Sequence, residues 1–343
     1  GRHDFSVGAE GRLRVWMGGE AVIDTWDAAT NRTHEWSAEF ESDETRSLVI
    51  EYASLPGEPW RWLGIGCRVP GPDVSIESAA AAAGAADVAV VVAGLNQDWE
   101  SEGFDRPDLA LPGDQNALIT AVAAAQTNTV VVLTTGSSVE MPWLDEVSAV
   151  VQAWYGGQEV GHAVADVLYG VEDPGGRLPV TFPADSRQHP GLLNYPGEAG
   201  VVRYGEGIYV GYRGFDKLGL EPMFPFGHGL SYATFEISLL GGRRDEEEVV
   251  VEVRVENTAD RFGSEVIQVF ANEIGGVDRR LVGFEKVRLE AGEASTVELR
   301  FSADRLRSWD SDSAAWVRPD GPVTLSLWAS GCATGESATL APE

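Results

Sequence analysis

At 343 residues the chain is long for one domain and comfortable for two or three, and its 43% hydrophobic content suffices for ordinary cores. Its 54 acidic residues against 25 basic ones leave a net charge of −29, which disfavours nucleic acid, whose phosphates need a basic face. No apolar run is long enough to span a bilayer. The two cysteines, Cys67 and Cys332, form neither a disulfide framework nor a metal motif and read as inert thiols.

Residues 1–72 read as β. Leu13–Trp16 alternates, Gly18 and Gly19 turn the chain, Ala21–Ile23 follows, and Ser47–Tyr52 is a further strand. The opening GRHDFSVGAEGRLRVWMGGEAV has no apolar core of signal type and looks like the middle of a β domain, so the true N-terminus is expected upstream. The compartment therefore stays open. Scarce lysine (Lys217 and Lys286 only) and the acidic surface lean toward a salty cytoplasm, with an ordinary acidic bacterial surface as the alternative.

Residues 73–235 alternate between helix and strand. The patterns predict helices over Ser78–Ala86, Gln115–Ala125 (with Asp114 as N-cap) and Glu159–Leu168. Strands are predicted at Val88–Ala93, Thr129–Leu133 and Ala149–Trp154. Such continuous apolar strands between helices imply a mainly parallel sheet covered on both faces. After the first strand comes Gly94–Gln115, GLNQDWESEGFDRPDLALPGDQ, where acidic residues and Arg106 lie beside Trp99 and Phe104. Loops at strand ends are where α/β sheets carry chemistry, and a carboxyl kept poorly solvated by aromatic rings suits a general acid. Residues 236–343 return to β patterning: Val249–Val255 and Glu265–Phe270 alternate, and two strands flank Ala291 and Gly292. The acidic run Asp245–Glu248 reads as a solvated turn.

The loop motif resembles the acid/base loop of family 3 glycoside hydrolases, in particular β-glucosidase-like members with an inserted PA14 domain. Further motifs follow in family order: GSSVEMPWLDEV (Gly136–Val147), AWYGGQE (Ala153–Glu159), GGRLPVTFP (Gly175–Pro183), and YGEGIYVGYRGFD through FPFGHGLSY (Tyr204–Tyr232). GRLRVWMGGEAVIDTW and EYASLPGEPWRWLGIG are similar to part of a PA14 module. VENTADRFGSEVIQVF and RRLVGFEKVRLEAGE resemble a fibronectin type III-like domain. The resemblance thus implies a multidomain α/β plus all-β chain: a partial PA14-like β domain over 1–72, an α/β sandwich with a mainly parallel sheet over 73–235, and a fibronectin type III-like β-sandwich over 236–343.

It also implies a retaining β-glycosidase chemistry, which needs two carboxyl groups about 5–5.5 Å apart. Glu102 would be the general acid/base, with Glu100 the competing candidate. The Asp nucleophile would lie on a (β/α)₈ barrel that this chain does not contain, so the chain alone is expected to be inactive and to need that barrel, in cis or in trans, as partner. Trp99, Asp105 and Arg106 are candidate substrate contacts, although the favoured reading of Glu100 and Asp105 is that they pair with Arg106 and only hold the loop. Trp36, Trp60 and Trp62 could stack on sugar rings or simply fill a β core. The substrate class is a β-linked glucoside cleaved at its non-reducing end, with no metal or organic cofactor. A non-catalytic carbohydrate-binding or scaffolding protein is the alternative. A serine nucleophile (Ser137, Ser138 or Ser231 with His162 or His228) lacks the G-x-S-x-G elbow. His3, His34 and His189 lack metal spacing.

Overall fold

The computed structural model describes residues 1–57, 61–69, 75–245 and 247–341. The chain divides into two compact units, Gly1–Ser78 and Ala79–Glu343. Among the described residues no helix is long and apolar enough to cross a membrane.

The first unit is built on one long strand, β1 (Arg2–Met17), with β2 (Glu20–Asp24), β3 (Thr30–Glu39), β4 (Leu48–Ala53) and β5 (Leu63–Arg68). All pair with β1 and all are antiparallel: β3 and β5 flank its first half, β2 and β4 its second. The change of partners falls at Gly11, whose φ is 142° and whose added Cβ would stand 2.4 Å from the Ala53 carbonyl oxygen. Only glycine fits there. The turn at Gly18 and Gly19 closes the β1–β2 hairpin, both residues at positive φ. Val7, Ala9, Leu13 and Val15 form the core of this unit, joined by Trp36 and Tyr52. Trp36 stacks on Phe5 at 5.2 Å, and the Trp62 ring lies where a Cβ on Gly8 would be. Both are packing roles within the β layer. Trp60 lies outside the described residues.

The second unit opens with α1 (Ile76–Gly84, which crosses from the first unit) and β6 (Ala89–Gly94). There follow α2 (Gln115–Ala125), β7 (Thr129–Thr134), β8 (Ala149–Gln152) and α3 (Val160–Leu168). The strands form a three-stranded parallel sheet in the order β6-β7-β8. The odd residues Ala89, Val91 and Ala93 point into a core with Ile119 and Val122 of α2 and the fully buried Trp143, whose indole N–H donates to Asn116 at 2.8 Å. Two expectations need correction here. Asp114 holds the N-cap position of α2, its carbonyl accepting from the Leu118 amide at 2.8 Å, but its side chain makes no capping hydrogen bond; the neighbouring Gln115 side chain spends its amide on Gly94. The second face of the sheet is covered at Val132 of β7, 1% exposed, but not along β6, where Val90 and Val92 remain exposed.

After α4 (Tyr212–Leu218) the chain is β throughout: β9 (Phe235–Asp245), β10 (Glu248–Asn257), β11 (Gly263–Ile274), β12 (Val277–Leu289), β13 (Ala294–Ser302), β14 (Ser308–Asp310), β15 (Ala315–Val317), β16 (Val323–Ala329) and β17 (Cys332–Leu340). Sheets β13-β10-β9 and β12-β11-β16-β17 pack face to face. Val249, Val251, Val253 and Val255 of β10 meet Ile267, Val269, Leu325 and Leu327 in the core between them. β11 is buried on both faces because its second face packs against the α/β part. There Arg279 forms a bidentate pair with Asp216 of α4 (2.7 and 3.1 Å) and lies 3.9 Å over the Trp328 ring. Arg177 donates to the buried Glu265 at 3.0 Å. Asp173 accepts from Ser231, Tyr232 and Ser264. Cys67 and Cys332 are free and exposed.

Candidate active-site loop

Residues 95–110 leave the C-terminal end of β6, the edge of a parallel sheet where backbone groups and side chains converge on open space. The loop turns tightly at Asn96, whose carbonyl accepts from the amides of Trp99 and Glu100, both at 2.9 Å, while its side chain accepts from Asp98 at 3.0 Å. Ser101 and Phe104 then bridge, so Glu102 and Gly103 sit at a hairpin-like tip.

The two glutamates have opposite surroundings. Glu100 is turned inward, its side chain only 15% exposed. It accepts from the Gly136 amide at 2.7 Å, from the Tyr155 hydroxyl at 2.5 Å and from the Ser137 hydroxyl, and Arg106 stands 3.5 Å away. Burial by itself pushes its carboxyl up. The hydrogen bonds from Ser137, Tyr155 and Gly136 and the Arg106 charge outweigh that, holding it below the usual carboxylate range. Tyr155, pushed by burial and by this anionic partner, rises to about 12. Its position follows from Trp154, which takes a left-handed conformation (φ 55°) just past β8 and packs edge-on against Phe182. Arg106 completes the brace through the Ser137 hydroxyl (2.9 Å) and the Ser138 carbonyl (3.3 Å).

Glu102 is exposed, and among the described residues no hydrogen bond or ion pair reaches its carboxylate. The aromatic shielding expected from sequence is not supplied: Trp99 and Phe104 are themselves largely exposed. Asp105 does not pair with Arg106; it accepts from the Tyr195 hydroxyl, ninety residues away. The structure therefore gathers Glu100 and Arg106 into one buried network and leaves Glu102, Trp99 and Asp105 on the outer side. Sequence reading missed Gly136, Tyr155 and Tyr195 as partners of this loop. Their motifs were visible, but nothing in them signals which carboxylate they would meet.

Two of the three serine candidates have their hydroxyls committed elsewhere. Ser137 donates to Glu100, Ser231 donates to Asp173 at 2.6 Å, and His228 stacks on Phe224 at 4.8 Å. Burial, with Arg177 nearby, holds His228 below the usual histidine range. His162 meets Glu159 on the surface. Among the described residues no group of three or more His, Cys, Asp or Glu could hold a metal ion.

Residues 13–232 match the glycosyl hydrolase family 3 C-terminal domain, and residues 265–331 match a fibronectin type III-like domain. The chain is 40% identical over 324 residues to the probable β-glucosidase J of Aspergillus fumigatus, covering 90% of this chain and 37% of that protein. It is 45% identical over 260 residues to the thermostable β-glucosidase B of Acetivibrio thermocellus, covering 74% of this chain and 34% of that protein. The crystal structure of the Kluyveromyces marxianus β-glucosidase with glucose superposes with a TM-score of 0.87 at 34% identity, over 100% of this chain and 43% of that one. A β-glucosidase from Streptomyces venezuelae in complex with D-glucose gives 0.78 at 36% identity, over 100% of this chain and 44% of that one. The chain spans less than half the length of these relatives. It belongs to glycoside hydrolase family 3, carrying that family's C-terminal domain followed by a fibronectin type III-like domain.

Proposed function

We propose that this chain is the C-terminal part of a retaining β-glucosidase that cleaves O-glycosidic bonds at the non-reducing end, with Glu102 as its general acid/base. The observation that carries the assignment is the contrast between the two glutamates. A general acid must reach a substrate oxygen and exchange a proton twice per turnover. Glu100 has its carboxylate filled by four partners, whereas Glu102 is free at the tip of a loop that those same four partners hold in place.

The nucleophilic Asp belongs to a (β/α)₈ barrel outside these 343 residues. A barrel carboxylate about 5–5.5 Å from Glu102 would attack the anomeric carbon while Glu102 protonates the leaving oxygen, and Glu102 would then activate water. Glu102 is exposed in its own chain, so the exclusion of water around it would have to come from the barrel. Trp99 and Asp105 remain candidate sugar contacts, Asp105 oriented by Tyr195; Arg106 acts by bracing the loop. In the first unit, the partial PA14-like reading stands as part of the same proposal.

The test is hydrolysis of p-nitrophenyl β-glucoside by this chain alone and after mixing with the separately produced barrel. Activity only in the mixture supports the proposal. Activity of the chain alone places the nucleophile within it. Silence in both, with gluco-oligosaccharide binding by the folded chain, favours a binding module instead.

A further inference from the structure

Between positions 100 and 105 the loop carries three acids, Glu100, Glu102 and Asp105, and Arg106 is the only cation between 95 and 110. How the acids are sorted decides what Glu102 is free to do. Arg106 stands 3.5 Å from Glu100 and donates to Ser137 and to the Ser138 carbonyl, so it belongs to the inner brace. Asp105 adjoins Arg106 in sequence and competes with Glu100 for it. Its carboxylate instead accepts from the Tyr195 hydroxyl. A neutral donor thereby takes the third acid and leaves the cation where Glu100 needs it. The hydrogen bond to Asp105 holds the Tyr195 phenol above its ordinary value, so at neutral pH it is a proton donor.

The tip has little structure of its own. Glu102 and Gly103 lie between the bridged Ser101 and Phe104, and the Gly103 amide donates to the Ser101 hydroxyl at 3.3 Å. Its place relative to the sheet is therefore set from the two ends, by Glu100 before it and by Asp105 after it. The outer anchor is itself well held. Tyr195 follows the single 3₁₀ turn Leu192–Asn194, in which the Asn194 amide donates to the Gly191 carbonyl at 2.9 Å. The Asn194 side chain donates to Glu206 at 2.6 Å and lies 2.7 Å from where a Cβ on Gly205 would be. Pro190 packs 2.5 Å from the corresponding point on the buried Gly214 of α4. Yet the Tyr195 side chain is 53% exposed, so removing its hydroxyl alone leaves the core untouched.

Resting on the assignment of Glu102 as general acid, we infer that Tyr195 is a positioning residue for it: by taking Asp105, Tyr195 keeps Arg106 on the Glu100 brace and fixes the outer end of the loop whose tip carries Glu102. Without the hydroxyl, Asp105 turns to the adjacent Arg106 and draws it from Glu100. The tip then loses its outer anchor, and the Glu102 carboxyl samples directions that miss the leaving oxygen. A proton donor held off line loses most of the advantage of being held at all.

Tyr195→Phe in the assembled enzyme, barrel and chain together, tests this through the leaving group. An alkoxide must be protonated as it departs, whereas a dinitrophenolate departs without help, so only the first reaction feels the general acid. Tyr195→Phe should lower kcat/KM at least about tenfold for methyl β-glucoside and less than about twofold for dinitrophenyl β-glucoside, a share of the about 10²–10⁴-fold that a general acid supplies. Added to Glu102→Gln, it should lower the methyl glucoside rate no further, because the group it positions is already gone. The melting temperature should match wild type. Equal losses on both substrates mark a merely structural role and overturn the inference; so does no loss on either, or a Tyr195→Phe effect that multiplies with Glu102→Gln. Glu102→Gln alone separates the two readings. If it shows no dependence on the leaving group, the assignment of Glu102 fails and the role of Tyr195 falls with it. If it shows that dependence and Tyr195→Phe does not, only the role of Tyr195 is overturned.

Discussion

Glu100 and Glu102 lie two residues apart, and opposite physics governs them. In the assembled enzyme, Glu102→Gln should lower kcat by about 10²–10⁴-fold with the melting temperature unchanged. The loss should be larger for an alkyl glucoside than for the p-nitrophenyl glucoside, whose leaving group needs less protonation. Glu100→Gln should instead destabilise the fold, by about 1–3 kcal/mol, because Gly136, Ser137 and Arg106 lose a charged acceptor. The pH dependence of that difference has a definite sign. Glu100 is held below 4.5, so its contribution is present above that value and disappears as pH falls through the folded pKa. Urea unfolding of wild type and Glu100→Gln should therefore show a gap at pH 7 that closes under acid; a gap independent of pH would remove the charge from the explanation.

Among the elements, the seam between the α/β part and the terminal sandwich is unusual in being polar and buried. Arg177 and Glu265 are 4% and 8% exposed, and Asp173 reaches across to Ser264. Breaking such a pair from one side leaves a buried charge unanswered, so Glu265→Gln should cost about 3–5 kcal/mol. Arg177→Met combined with Glu265→Leu should recover most of it, as measured by chemical denaturation of the four proteins of the cycle. Full additivity of the two single changes would show that the pair does not act as a unit. The same seam explains why β11 reads as apolar alternation in sequence yet is buried on both faces: a strand's pattern reports its core face, while Gln268 of β11, like Arg279 of the adjacent β12, gains its burial from a neighbouring layer.

For the molecule as a whole, the dominant fact is charge. With a net charge of −29, self-repulsion destabilises the compact state, and at 1 M salt it is screened beyond about 3 Å. The melting temperature should rise between low and molar sodium chloride; a flat or falling curve would point to an ordinary acidic surface with enough local pairing, such as the Arg300 pairs with Glu298, Asp245 and Glu248, to offset the excess.

The sequence by itself determined what depends on local pattern. Helix α2, strand β7, the turn at Gly18 and Gly19, and the hand-over from α/β to all-β patterning are all readable because they need only periodicity and turn chemistry. The family was readable because its motifs occur in order along the chain. Only the tertiary structure decided which glutamate is braced and which is free, and that Asp105 turns to Tyr195 and not to Arg106. These depend on groups brought together from positions 36, 55 and 90 residues apart. A side chain's hydrogen-bond partner is fixed by packing at long range, and no local pattern encodes it.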